Sequence, residues 1–215
     1  MIKILLVDDH ELVRIGIKRL LQDEQGIKVI GEAASGEEAI TLTKELLPNV
    51  ILMDVQMSGM GGLEASKKIL RYNSDAKILV LTMYGDDPYP SRFLEIGAAG
   101  YITKGCGASE MIRAIRLVYS GQRYLSSEIA QKFALKTFIK GENSQLDTLS
   151  ERELQIMLMI TQGDRVQDIS DKLSLNSKTV NGHRYNIFKK LKIDSDVELT
   201  LLAIRLGLVE ENKVE

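Results

Sequence analysis

One cysteine in 215 residues excludes an internal disulfide, because a bridge needs two thiols. That residue, Cys106, lies in a glycine-flanked turn, and its isolation fits a reducing compartment. Long apolar runs are also missing: none approaches the roughly 18 residues that a membrane span requires. The N-terminus opens on a strand pattern, without the basic region and extended apolar core of a secretory leader. These absences lead us to expect a cytoplasmic protein with no membrane partner. Charge of one sign is missing too. A net charge of −2 excludes a broadly basic, histone-like binder, although it does not bear on a local basic face. What is present is an ordinary globular composition, 44% hydrophobic, at a length that suits one or two domains.

Four short apolar runs each end on polar residues. Ile2–Val7 leads into Asp8 and Asp9, Val50–Met53 into Asp54, Lys77–Leu81 into Thr82, and Tyr101–Thr103 into Lys104. Runs rich in Val, Ile and Leu that alternate with helical patterns imply a parallel sheet buried on both faces. Ligands of such sheets bind beyond the carboxyl ends of the strands. Residues scattered over a hundred positions should therefore meet at one site with three carboxylates, a hydroxyl and an ammonium. Two carboxylates 5 Å apart repel by roughly 3 kcal/mol at an effective dielectric near 20, so three need a compensating cation. An all-oxygen cluster suits Mg²⁺, which takes one or two carboxylates plus water and phosphate oxygens.

Up to about residue 120 the chain reads as five strands alternating with five helices. This predicts an α/β fold, a flavodoxin-like doubly wound parallel sheet in the order 2-1-3-4-5. The pattern loosens over 121–147, where Ile129, Phe133, Phe138 and Ile139 suggest a linker helix and 140–144 form a polar break. From 148 to 215 strand signals stop and four helical segments follow, marking a second, smaller all-α domain.

Residues 1–120 resemble the receiver domain of two-component response regulators. The resemblance rests on Asp8-Asp9, Asp54, Thr82, Tyr101 and Lys104, and on the pattern from Val50 to Gly62 around the acceptor. It implies that Asp54 takes a phosphoryl group from the phosphohistidine of a sensor histidine kinase system. It also implies that Mg²⁺ is held by Asp9, Asp54 and the backbone carbonyl of Gln56, with Asp8 helping through water. Lys104 would pair with a phosphate oxygen, Thr82 would donate to another, and Tyr101 would turn inward. His10 is expected as a surface residue of the first helical turn rather than a metal ligand. Two departures stand out: many receivers carry proline where Ser58 and Gly105 stand. A cis peptide without proline would cost about 2.5–4 kcal/mol.

The C-terminal segment resembles the LuxR/NarL-type helix-turn-helix over residues 149–208. Ser150-Glu151-Arg152-Glu153 reads as a capping box that opens the first helix. Gly163 closes it, Val166, Ile169 and Leu173 form the stripe of the second, and Leu175-Asn176 makes the turn. The third helix, from about Ser177 to Lys190, would be the recognition helix. At 100° per residue, Val180, Ile187 and Leu191 fall on one side, with Phe188 at the margin. Lys178, Gly182, Tyr185 and Lys189 centre on the other, and no acidic residue occurs between Asn176 and Lys192. Such a face fits the major groove of double-stranded DNA. We expect Asn181, Gly182 and Tyr185 nearest the bases and Lys178, Thr179 and Lys189 on phosphates, with His183 packed on the flank.

A second capping box, Ser195-Asp196-Val197-Glu198, starts the fourth helix. That helix carries two apolar stripes, one of Val197, Leu201, Ile204 and Leu208, the other of Leu199, Leu202, Ala203 and Leu206. A small domain buries one face of a terminal helix, so the other should meet a symmetry mate in a homodimer. Leu199, Leu202 and Leu206 are the expected dimer residues.

Together these features describe a transcriptional response regulator of the NarL/FixJ class rather than an enzyme. The wording of Val7–Arg14, of Gly97–Tyr101 with Thr103-Lys104-Gly105, and of Ser195–Leu199 is similar to the GacA/UvrY/LetA subgroup. That subgroup activates genes for small regulatory RNAs. A phosphohydrolase of the haloacid dehalogenase type is the enzyme alternative. It needs Asp-x-Asp, whereas Asp54-Val55-Gln56 offers an amide that shuttles no protons. A constitutive DNA-binding regulator whose receiver does not switch is the other alternative.

Overall fold

The computed structural model describes residues 1–83, 89–127, 129–131, 146–206 and 208. The chain divides into two compact units, 1–134 and 135–215. Within the first, β1 (Ile2–Val7), α1 (Glu11–Gln22), β2 (Ile27–Ala33), α2 (Gly36–Leu46), β3 (Val50–Asp54) and α3 (Gly62–Tyr72) come first. They are followed by β4 (Ile78–Thr82), α4 (Tyr89–Glu95), β5 (Gly100–Thr103), α5 (Ala108–Tyr119) and β6 (Tyr124–Leu125). The strands form one sheet in the order β2-β1-β3-β4-β5-β6, and every pairing is parallel.

Five of these strands stand in the expected order; the sixth was not expected. β6 is only two residues long and falls where the sequence pattern had already loosened, so it leaves no periodic signal. Its pairing with β5 aligns Gly100 with Tyr124 and Tyr101 with Leu125. Gly100 makes room for it, since a Cβ there would lie 2.8 Å from the Tyr124 carbonyl oxygen. Beyond β6, helical backbone is described at 127 and 129–131, and Ile129 is buried. The remainder of the expected linker helix, with Phe133, Phe138 and Ile139, lies outside the described residues.

The strands are largely apolar because both faces are covered, with Lys3 of β1 and Lys28 and Glu32 of β2 as exceptions. Ile4, Leu6, Val50, Leu52, Leu79, Leu81 and Ile102 pack on Ile17 and Leu21 of α1 and Met111, Ile115 and Val118 of α5. The alternate residues Leu5, Val7, Ile51, Met53, Ile78 and Val80 are buried as well. With the interior filled this way, Asp8, Asp54, Thr82 and Lys104 all stand at or just past strand ends.

In the second unit a 3₁₀ turn (Leu146–Thr148) precedes four helices, Glu151–Thr161, Val166–Leu173, Ser177–Leu191 and Asp196–Arg205. The Ser150–Glu153 capping box is complete. The box expected at Ser195 is half made. Ser195 Oγ accepts from the Glu198 amide at 3.2 Å, but the Glu198 carboxylate accepts from Asp194 N at 3.0 Å instead. Leu154, Ile156, Met157, Ile169, Leu173, Val180, Ile187, Leu191, Leu199 and Ala203 form the interior of this unit. Among the described residues, no helix is long and apolar enough to cross a membrane.

Candidate functional site

The parallel sheet sets β1, β3, β4 and β5 side by side, so their carboxyl ends deliver side chains to one place. Lys104, just past β5, puts Nζ 2.6 Å from Asp8 Oδ2 and 2.9 Å from Asp54 Oδ2. All three side chains are buried, at 6% exposure or less. Asp9 joins them, with one ligand atom each from Asp8, Asp9, His10 and Asp54 lying within 4.8 Å of one another. Thr82 is buried at the end of β4, and its carbonyl accepts the Lys104 amide at 2.6 Å. Gln56 is exposed two residues beyond Asp54.

Electrostatics fits this cluster to a divalent cation. Three carboxylates against one ammonium leave a formal charge of −2. Asp9 Oδ1 is buried and accepts no hydrogen bond, and His10 Nδ1 lies 2.8 Å from it. Burial pushes the Asp54 carboxyl up to about 7; Lys104 pulls it down, while Asp8 and Asp9 push it up. A hard cation among these oxygens would relieve both the repulsion and the desolvation.

The loops that hold the cluster are braced in ways the sequence did not announce. Arg14 Nη1 donates to the Asp8 carbonyl at 2.6 Å. Asp8 and Asp9 do not cap α1: its N-cap residue is His10, whose own amide donates to Asp8 Oδ1 at 2.9 Å. His10 is 68% exposed, as expected for a surface residue, yet its ring edge borders the acidic pair. Ser58, noted above for the missing proline, donates its amide at 2.9 Å and its hydroxyl at 3.1 Å to Asp9 Oδ2. No described peptide bond is cis, and the bond between Lys104 and Gly105 is trans. Gly62 lets α3 start against β3, since a Cβ there would fall 1.8 Å from the Asp54 carbonyl oxygen.

Tyr101 is fully buried on β5. Its ring stands edge-on to Phe93, with centroids 5.8 Å apart and planes at 68°. The inward position expected after phosphorylation is thus the one it occupies here.

In the second unit the third helix presents the expected faces. Val180, Ile187 and Leu191 are buried and Phe188 is half-buried. Lys178, Asn181, Gly182, Tyr185 and Lys189 are exposed, Tyr185 at 68%. Thr179 is tied into the helix start. Asn176 Oδ1 accepts from its amide at 2.7 Å and its hydroxyl at 2.9 Å, so the Thr179 hydroxyl proton is engaged at the helix start. His183 is half-buried on the flank, and burial lowers its affinity for a proton, with Glu153 raising it and Arg152 lowering it.

The fourth helix departs from expectation. Leu199, assigned above to a dimer contact, is fully buried with Ala203 in its own unit, and Leu202 and Leu206 are half-buried. Val197 and Leu201 are the exposed residues, at 68% and 55%. The two stripes are equally apolar, so periodicity could not say which one faces inward. One tether that fixes the choice is Arg184, whose guanidinium grips Asp196 through Nε at 2.8 Å and Nη2 at 2.5 Å.

Comparison with known proteins agrees with this geometry. Residues 4–116 match the response regulator receiver domain, and residues 147–203 match the bacterial regulatory proteins of the luxR family. The chain is 57% identical to the response regulator GacA of Pseudomonas syringae pv. syringae over 211 residues, 98% of this chain and 99% of that protein. It is 54% identical to the response regulator UvrY of Escherichia coli over 210 residues, 97% of this chain and 96% of that one. A solved structure of RcsB from Salmonella enterica serovar Typhimurium, bound to a promoter in the presence of the phosphomimetic BeF₃⁻, shares the fold. Its TM-score is 0.65 at 23% identity, covering 97% of this chain and 99% of that one. With strand ends that gather three carboxylates around a lysine, and a helix-turn-helix on the same polypeptide, the chain belongs to the response regulators with a LuxR-family DNA-binding domain, among the GacA and UvrY proteins.

Proposed function

We propose that Asp54 is the phosphoacceptor of this regulator and that its phosphorylation promotes binding of the C-terminal unit to double-stranded DNA as a homodimer. The observation that carries the reading is Lys104 Nζ at 2.6 Å from Asp8 and 2.9 Å from Asp54, all three buried at the carboxyl ends of β5, β1 and β3. In the transfer, an Asp54 carboxylate oxygen attacks the phosphorus of a phosphohistidine on a sensor histidine kinase system. The phosphorus–nitrogen bond breaks and the imidazole leaves. Asp8, Asp9, Asp54 and the Gln56 carbonyl are the groups that would hold Mg²⁺. When bound, Mg²⁺ supplies positive charge to the phosphoryl oxygens in transfer. Lys104 moves from its carboxylate partners to a phosphoryl oxygen, and Thr82 donates to another. Buried Tyr101, packed on Phe93 of α4, stabilises the surface of α4 and β5 in the form that signals.

On the DNA side, Asn181, Gly182 and Tyr185 approach the bases, and Lys178, Lys189 and the Thr179 hydroxyl, rotated away from Asn176, meet phosphates. Dimer contacts fall to Val197 and Leu201 with the half-buried Leu202 and Leu206, since Leu199 is already used inside its own unit. Resemblance to the GacA/UvrY/LetA subgroup supports small-RNA genes as targets and a cytoplasmic site of action.

The deciding experiment measures DNA affinity at stated salt, with and without a small-molecule phosphodonor, for the native chain and Asp54→Ala. Phosphodonor should tighten binding by the native chain alone. Equal affinity in all four conditions would instead identify a constitutive regulator.

A further inference from the structure

We infer that Ser58 is a positioning residue for the metal site, holding Asp9 in the orientation that receives the cation. The inference rests on the Mg²⁺ reading above and adds to it a residue that touches neither cation nor phosphoryl group.

Ser58 lies in the loop between β3 and α3, 49 positions from Asp9, and cross-links that loop to the one after β1. Its amide, 2.9 Å away, and its hydroxyl, 3.1 Å away, both donate to the same oxygen, Asp9 Oδ2. The other oxygen, Oδ1, is buried, accepts no hydrogen bond and has His10 Nδ1 at 2.8 Å, and Asp9 offers a ligand atom to the cluster with Asp8 and Asp54. This division of labour is the basis of the inference. A carboxylate beside two others is repelled by them, and Asp9, the most exposed of the three, has room to swing toward water. Two donors on Oδ2 compensate its charge from the far side and fix the side-chain torsion. Oδ1 is then left available to the cation, whose entry requires no rearrangement of Asp9. Outer-shell partners of metal ligands act in this way, and losing one typically weakens metal binding by about 10–100-fold. Alanine at 58 would remove the hydroxyl and keep the amide. Proline would remove both donors.

The test is calorimetric titration of MgCl₂ into the unphosphorylated full chain, for the native protein, Ser58→Ala, Ser58→Thr and Ser58→Pro. We expect Ser58→Ala to bind Mg²⁺ about tenfold more weakly, Ser58→Thr to recover native affinity, and Ser58→Pro to be weaker than alanine. Phosphorylation of Asp54 by a small-molecule phosphodonor, followed against Mg²⁺ concentration, should show the half-saturating concentration rise while the plateau rate stays native. Native Mg²⁺ affinity in Ser58→Ala, or a fall in plateau rate at unchanged half-saturation, would overturn the inference and leave the metal reading standing. A native chain that binds no Mg²⁺ would overturn both. Should Ser58→Pro fail to fold, the alanine and threonine variants still decide.

Discussion

Without a cation, the Asp54 carboxyl is about half protonated near neutral pH, because burial raises it to about 7. The folded chain therefore binds this proton more tightly than the unfolded chain does, and stability falls as pH rises between the ordinary 3.8 and about 7. Above that window the full penalty remains, at most about 4 kcal/mol by the usual 1.36 kcal/mol per pKa unit. Asp54→Asn should thus be more stable than the native chain at pH 8, by about 1–4 kcal/mol, and nearly equal to it at pH 4. Urea unfolding at the two pH values checks this, and added Mg²⁺ should narrow the gap by stabilising the native carboxylates. Lys104→Gln removes the charge that holds Asp54 down. Its phosphorylation rate should therefore rise with pH later than the native rate does, as a pH profile with a small phosphodonor would show. Asp8, Asp54, Thr82 and Lys104 were legible in the sequence because each follows an apolar run that can only be a buried strand. The bonds from Ser58 to Asp9 and from Arg14 to the Asp8 carbonyl were not legible, since each depends on how loops approach one another in space.

Local patterns decided the helices, and contacts between elements decided what the helices do. The recognition helix could be wound from its sequence because Val180, Ile187 and Leu191 are its buried positions and its remaining face is polar. The start of α3 is different. A Cβ on Gly62 would lie 1.8 Å from the Asp54 carbonyl oxygen, so Gly62→Ala must push the helix off the acceptor strand. Overpacking of this kind costs about 1–3 kcal/mol. The expected result is a lower midpoint in thermal unfolding and a slower phosphorylation of Asp54. In the second unit, buried Glu153 caps its helix through the Ser150 amide at 2.7 Å and accepts from Lys190 Nζ at 2.6 Å. Burial alone would raise its carboxyl; the hydrogen bonds from Lys190 and Ser150 outweigh that and hold it below the ordinary value. Its contribution is therefore complete above the ordinary 4.5 and fades as pH falls. Glu153→Gln should destabilise this unit by about 1–2 kcal/mol at pH 7, with a smaller difference at pH 4.

The proposed function joins a phosphorylation site to a groove-binding unit on one chain, and both ends of that arrangement can be measured. Replacing Lys178 or Lys189 with alanine should reduce the salt dependence of DNA binding by about one counterion each, without changing sequence preference. Leu201→Glu places a charge on the exposed stripe of the fourth helix. It should abolish dimerisation in sedimentation experiments and weaken operator binding by about 10²–10⁴, the advantage that linking two modules provides. Because Leu201 is 55% exposed, the fold of the single unit should survive the change.

The alternation of apolar runs and helical periods already dictated a parallel sheet, and with it the end at which charged residues had to gather. That follows because a strand covered on both faces tolerates polar groups best at or beyond its end. The chain's own letters could not choose between the two leucine stripes of the fourth helix, because both satisfy the same periodicity. They could not foresee β6 either, whose two residues pair only because Gly100 leaves space beside β5. Those outcomes depend on which surfaces come within bonding distance once the chain has packed, and that information is held by the assembled fold.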